Sequence, residues 1–310
     1  MRADPRTLRV VLLGAGMGLG LVLLEVGAPR GWLSGVTALV SLMPVALALA
    51  LGGPGAAGMA VVIAVTGAAA LLDGVAAVVV ALRHALPGVA LGIALTRRLS
   101  LGGSLVLVSA TSFLGLALLL WAFVPAATSP LAFLQRQLDA HVADFEQLPA
   151  RLGLAGDPGW AADSARLVAN TMRVAGPGVV LVGVFLGALV NYVGARLCLR
   201  GEGFRAFAEE SVPDHLVWGV IAGGAFLIAR QAPLDLIGLN VLIALAPLYA
   251  IQGLAVVRHF FLRTRVPRSL QVVSFGLFAV QPLLLLTVAC VGLSDLWIDF
   301  RKIRRAPTPA

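Results

Sequence analysis

The 310-residue chain is 59% apolar, and its 35 glycines raise the apolar-plus-glycine share to roughly 70%, against ~45–50% in water-soluble domains. Charged residues make up only 12% and gather in short clusters between long uncharged runs. A water-soluble globule is excluded; the pattern is that of an all-α, polytopic integral membrane helical bundle whose first partner is the lipid bilayer. Net charge is +8, and Lys302 is the single lysine among 23 basic residues. The arginines sit at the ends of apolar runs rather than on one face among aromatics, so anchoring and orientation explain them and no nucleic acid is expected.

Arg2, Arg6 and Arg9 precede the apolar run Val10 to Leu24, and no A-x-A site follows it. The run is expected as an uncleaved first span. A crossing takes ~20 helical residues. The qualifying runs are approximately 8 to 27, 32 to 52, 57 to 72, 75 to 96, 100 to 124, 175 to 199, 214 to 231, 234 to 257 and 270 to 294, which predicts eight or nine transmembrane helices. Within the first, Gly14, Gly16, Gly18 and Gly20 form i, i+4 pairs that make a flat ridge for close helix approach.

Between Pro125 and Arg173 lies the one long polar insertion. Ser129-Pro130 reads as a helix start, and Leu131, Leu134, Leu138, Val142, Phe145 and Leu148 recur at spacings of three and four. This predicts an amphipathic helix, with Asp157-Pro158 opening a second. Short cytoplasmic loops retain positive charge. With the N-terminus inside, Arg97-Arg98, the 200 to 213 loop and the loop of Arg258, Arg263, Arg265 and Arg268 fall in the cytoplasm, and the insertion falls outside. The tail DLWIDFRKIRR, Asp295 to Arg305, does not fit, because a ninth crossing delivers its four basic residues to the outside.

Enzyme motifs are missing from the sequence. A P-loop needs a Gly-Lys-Ser/Thr, and the single lysine is at 302. There is no HExxH or GxSxG, and His84, His141, His215 and His259 are scattered over four segments, so neither a metal site nor a cofactor site is expected. Cys198 and Cys290 form no CxxC pair. A non-enzymatic protein is the expectation.

Polar residues inside spans carry the functional interest, because an unpartnered one costs several kcal/mol. They are Glu25, Asp73, Arg83, His84, Asn191, Arg196, Asp235, Asn240, Gln252 and Gln281. Glu25, Asp73, Arg83, His84 and Asn191 are the candidate ligand-binding set. Glu25 near an outer helix end and Asp73 at a break between spans also read as simply wet, Asp235 as a helix cap, and Arg83 as the ion-pair partner of Asp73 or Glu25. Gly183, Gly187, Asn191 and Ala195 advance by four, giving a small face with one amide that suits a neighbouring helix.

Pro177, Gly187, Asn191-Tyr192, Arg196, Pro213 with Trp218, Gln252-Gly253 and the closing Gly292 to Lys302 resemble the YybS-like family of bacterial inner-membrane proteins over roughly 175 to 303. The N-terminal part is similar in layout to the S components of energy-coupling factor transporters. Those are six-helix bundles whose small first-helix residues dock onto a transmembrane coupling protein. The resemblance implies a six-helix core over 1 to 199 with the external insertion at 125 to 173, and an additional three-helix region over 200 to 310. It further implies that Gly14, Gly16, Gly18 and Gly20 dock a coupling protein whose partners hydrolyse ATP, and that the chain binds or transports a small solute at a bacterial inner membrane. The alternative is a scaffold or regulator that binds a protein through the basic 258 to 268 loop and the tail.

Overall fold

The computed structural model describes residues 5–26, 40–124, 136, 158–199 and 206–303. Every regular element among them is helical. They are α1 (Pro5–Val26), α2 (Met43–Leu71), α3 (Gly74–Thr96), α4 (Leu101–Phe123), α5 (Pro158–Cys198), α6 (Val217–Ala229), α7 (Leu234–Arg263), α8 (Arg268–Val280) and α9 (Pro282–Ile298), with short 3-10 turns at Phe207–Glu209 and Asp214–Leu216. Six are long and apolar enough to cross a membrane, or seven if α8 and α9, bent by 103°, count as one span. The eight or nine expected crossings are not reached among the described residues. Hydropathy sees α6 as a span, yet its 13 residues extend only ~20 Å at ~1.5 Å per residue. Most of the run 32 to 42 and nearly all of the insertion's first helix lie outside the described residues.

Two elements depart from the expected boundaries. Asp157-Pro158 does not open a separate cap helix; Pro158 starts α5, which continues for 41 residues through Pro177. Gly53 takes φ +76° and ψ −172°, so α2 is two helices folded across Gly53-Pro54. Ala48 from the first piece clusters with Ala56 and Ala60 from the second, which sets the pieces side by side. Glycine suits this left-handed position and proline restarts the helix.

Contact register gives the helix directions. Gly14 faces Ala56 and Met59, Gly18 faces Ala60 and Ile63, and Val22 meets Gly67. Rising numbers on both sides make α1 parallel to the second half of α2. Arg97 and Arg98 turn α3 into α4, and Gly115 lies against Leu82, so these two are antiparallel. Gly178 packs on Asn240 and Ile243, while Tyr192 and Ile251 line one groove further along. Thus α5 and α7 are parallel. Gly223 on Gly238 and Gly219 on Leu245 make α6 antiparallel to α7. Gly253 against Val288 and Gly292 against Tyr249 do the same for α9. One core cluster, including Leu91, Leu105, Tyr192 and Leu248, joins α2, α3, α4, α5 and α7.

Candidate functional site

At one end of this bundle, the first turn of α4 and the last turn of α5 meet a segment drawn from the chain after α5. Ser100 caps α4 by accepting from the Gly103 N–H at 3.1 Å. The next free amide, Leu101 N–H, donates to Glu210 Oε2 at 2.5 Å. A carboxylate there satisfies an orphan donor and sits at the positive end of the helix dipole. Glu210 is 2% exposed, and Arg196 from α5 reaches its other oxygen at 3.9 Å.

The tail closes the arrangement. Arg301 donates through Nε and Nη2 to Asp295 Oδ2, at 3.1 and 2.8 Å. Its Nη1 donates to the carbonyls of Ala208 at 2.9 Å and Glu210 at 2.7 Å. Asp295 Oδ1 accepts from the Phe300 N–H at 2.9 Å, which holds the turn leaving α9. Gln252 of α7 accepts from the Val212 N–H at 2.9 Å and donates to the Gly292 carbonyl at 2.9 Å. Asp295, Arg301 and Gln252 are all buried. Two acids and two arginines thus balance one another, as a buried charge requires.

This arrangement settles which face carries the tail. Arg301 grips the segment whose Glu210 caps α4, so the tail shares a face with Arg97-Arg98 and the end of α5. The expected ninth crossing would have delivered it to the opposite face. The chain avoids that because α9 runs back only as far as the middle of α7, and its tail turns onto the Phe207–Val212 segment.

Beside the charge lattice opens a groove of about 490 Å³ between α4, α5 and α7. Leu101, Leu189, Tyr192, Ile251 and Leu254 form its walls, and Arg196 is the one charged group among the lining residues described. Its volume falls in the ~300–1,000 Å³ range of small-ligand pockets.

The residues singled out from the sequence do not assemble into one site. Asn191 is 1% exposed; its Oδ1 accepts from the Leu42 N–H at 3.1 Å and its Nδ2 donates to the Gly187 carbonyl at 2.8 Å. His84 is 4% exposed, and its Nδ1 lies 2.8 Å from Ser41 Oγ. Because Ser41 and Leu42 are consecutive, these two residues meet around the start of α2. His84 also stands in the π-helical turn Val80–Ala85. Asp73 is exposed and caps α3 by accepting from the Ala76 N–H at 2.6 Å. Arg83 is exposed too. Glu25 lies in α1, with its side chain outside the described set. Gly14 and Gly18 are buried against α2, while Gly16 and Gly20 have nothing near their Cα hydrogens. Asn240 bonds α5 at Gly178 and Val174, so it shares no seam with Gln252.

Sequence reading did not weigh Glu210 and Arg301 as site residues. The signal for Arg301 was Asp295, six residues earlier at the end of a long uncharged run. Glu210 had little, since Leu101 and Arg301 lie 109 and 91 residues away and only Arg196 is near it in sequence.

No curated protein and no solved structure matches this chain. A family model does, over residues 21–296, and it supports neither the YybS-like assignment nor the S-component likeness. The match runs from α1 to within the last turns of α9, and with the apolar spans it places the chain in a bilayer. The chain belongs to the family described as Predicted membrane protein (DUF2232).

Proposed function

We propose that the protein is a non-enzymatic, membrane-embedded binding subunit for a small, mostly apolar solute that carries an acidic group, and that transport of this solute draws on ATP hydrolysed by other subunits. The groove between α4, α5 and α7 carries the reading: apolar walls accept the body of such a molecule, and the Arg196 guanidinium at the rim offers donors to a carboxylate or phosphate. By the positive-inside rule, the face holding Arg97, Arg98 and the charge lattice is cytoplasmic in a bacterial inner membrane. The edge of α1 bearing Gly16 and Gly20 is free within the described chain and suits a coupling protein, whereas the Gly14 and Gly18 edge is already used by α2. The competing scaffold reading keeps its basic 258 to 268 loop but loses much of its tail, because Arg301 is 7% exposed and bound in the lattice.

Native mass spectrometry of the purified protein tests the reading. A co-purifying small acid is expected. Leu254→Trp fills the groove and should remove it, and Arg196→Gln should weaken it by roughly ten- to a hundredfold, the worth of a charge-assisted hydrogen bond. A small acid retained equally by both variants overturns the proposal, as does a wild-type protein that carries none and is stabilised by none.

A further inference from the structure

The end of α7 and all of α8 present an apolar stripe that no described residue covers, and its neighbours identify the occupant. Since α9 runs antiparallel to α7, a helix that crosses the membrane, the 103° bend between α8 and α9 lays α8 close to the membrane plane. Its inner side is fixed to the protein. Gln271 donates to the Val266 carbonyl at 2.7 Å, and Phe275 meets Phe261 edge-on at 6.0 Å. On its outer side Leu270, Val273, Leu277 and Val280 are 54%, 65%, 54% and 81% exposed. Their spacing of three, four and three puts them on one stripe.

Along the chain from Arg258 to Ser294 charge is one-sided. Arg258 and Arg263 lie in the last turns of α7, Arg265 in the turn after it and Arg268 at the start of α8, and no acidic residue occurs between Arg258 and Ser294. Arg258 and Arg268 also flank a hollow of about 400 Å³ floored by Phe207 and Phe275. An in-plane helix with an apolar stripe, rimmed by guanidinium groups, complements a surface with acyl chains beneath and phosphates above.

We infer that α8 and the Arg258 to Arg268 segment form an edge that binds anionic phospholipid, with the outer stripe among the acyl chains and the arginines on the headgroup phosphates. A protein partner is the competing occupant. An acidic one would match the arginines but would have to sit at the level of the membrane that α7 already crosses.

The test uses full-length protein with Cys198 and Cys290 replaced by serine and one nitroxide at 270, 273 or 277 on the outer stripe or 275 on the inner side. It is reconstituted in nanodiscs of phosphatidylcholine alone or with phosphatidylglycerol. The outer positions should collide with oxygen rather than with a water-soluble nickel chelate, and phosphatidylglycerol should lower nickel access further. Each arginine near an anionic surface is worth roughly fivefold in partitioning. The triple variant Arg263→Gln, Arg265→Gln, Arg268→Gln should therefore lose the phosphatidylglycerol effect with its melting temperature kept; if it does not fold, Arg263→Gln alone should show a reduced effect. Outer positions open to nickel in both nanodiscs overturn the inference in favour of a wet face or a protein partner. A phosphatidylglycerol effect unchanged by loss of the arginines overturns it as well.

Discussion

Arg301 shows how one residue can hold a chain end that composition alone left without a side. Four hydrogen bonds spread its guanidinium over one carboxylate and two carbonyls, all buried. Removing one member of such a buried set leaves the others desolvated and unpaired, which typically costs about 3–5 kcal/mol. Arg301→Gln should lower the melting temperature in detergent and open the Phe207 to Val212 segment to proteolysis. Adding Asp295→Asn removes the orphaned carboxylate, so the double variant should cost less than the two single changes combined. Strict additivity would mean that Asp295 and Arg301 do not act as a pair.

At the scale of elements, the glycines of α1 divide into two edges with different jobs. A Cβ on Gly18 would lie 2.7 Å from the Ala60 carbonyl oxygen and 2.8 Å from Ile63 Cβ, whereas one on Gly20 meets nothing within 4 Å. Gly18→Leu should therefore push α1 off α2 and destabilise the protein by about 1–3 kcal/mol, the usual cost of overpacking. Gly20→Leu should leave stability unchanged or raise it, since glycine costs ~1 kcal/mol against alanine in a helix. Thermal melts of the two variants decide this, and equal losses would mean that both edges are packed. If Gly20→Leu stays stable but loses a co-purifying membrane protein, that edge is the docking side.

Element boundaries were legible wherever apolarity alone decides them. The runs 75 to 96 and 100 to 124 became Gly74–Thr96 and Leu101–Phe123, because Asp73, Arg97, Arg98 and Ser100 punctuate the chain with caps and charge. The fold across Gly53-Pro54 was visible as the gap between the runs ending at 52 and beginning at 57. The bend at Gln281 was not, because a 103° turn flanked by valine and proline leaves hydropathy unbroken. The site was less legible still. Asn191 and His84 were found as buried polar groups, but their partners Leu42 and Ser41 are ordinary residues far away in sequence, as is the Leu101 that Glu210 accepts from.

For the whole molecule, the placement of the tail fixes a topology that can be measured. Leu101 bonds Glu210, and Glu210 accepts from Arg301, so the turn at Arg98, the Phe207 to Val212 segment and the tail lie on one face. α7 enters from the other face and its basic end continues past the level of Gln252, so Thr264 belongs with them. The chain between α4 and α5 leaves from the opposite end of α4. Single cysteines at 98, 264 and 302, in a background without Cys198 and Cys290, should all be protected from a membrane-impermeant maleimide in right-side-out cells and react after permeabilisation. A cysteine at 140 should react without permeabilisation. Reaction at 302 in intact cells together with protection at 98 would separate the tail from the α4 face and overturn the buried Arg301 arrangement. Reaction at 98, 264 and 302 in intact cells, with 140 protected, would keep the fold and invert its orientation.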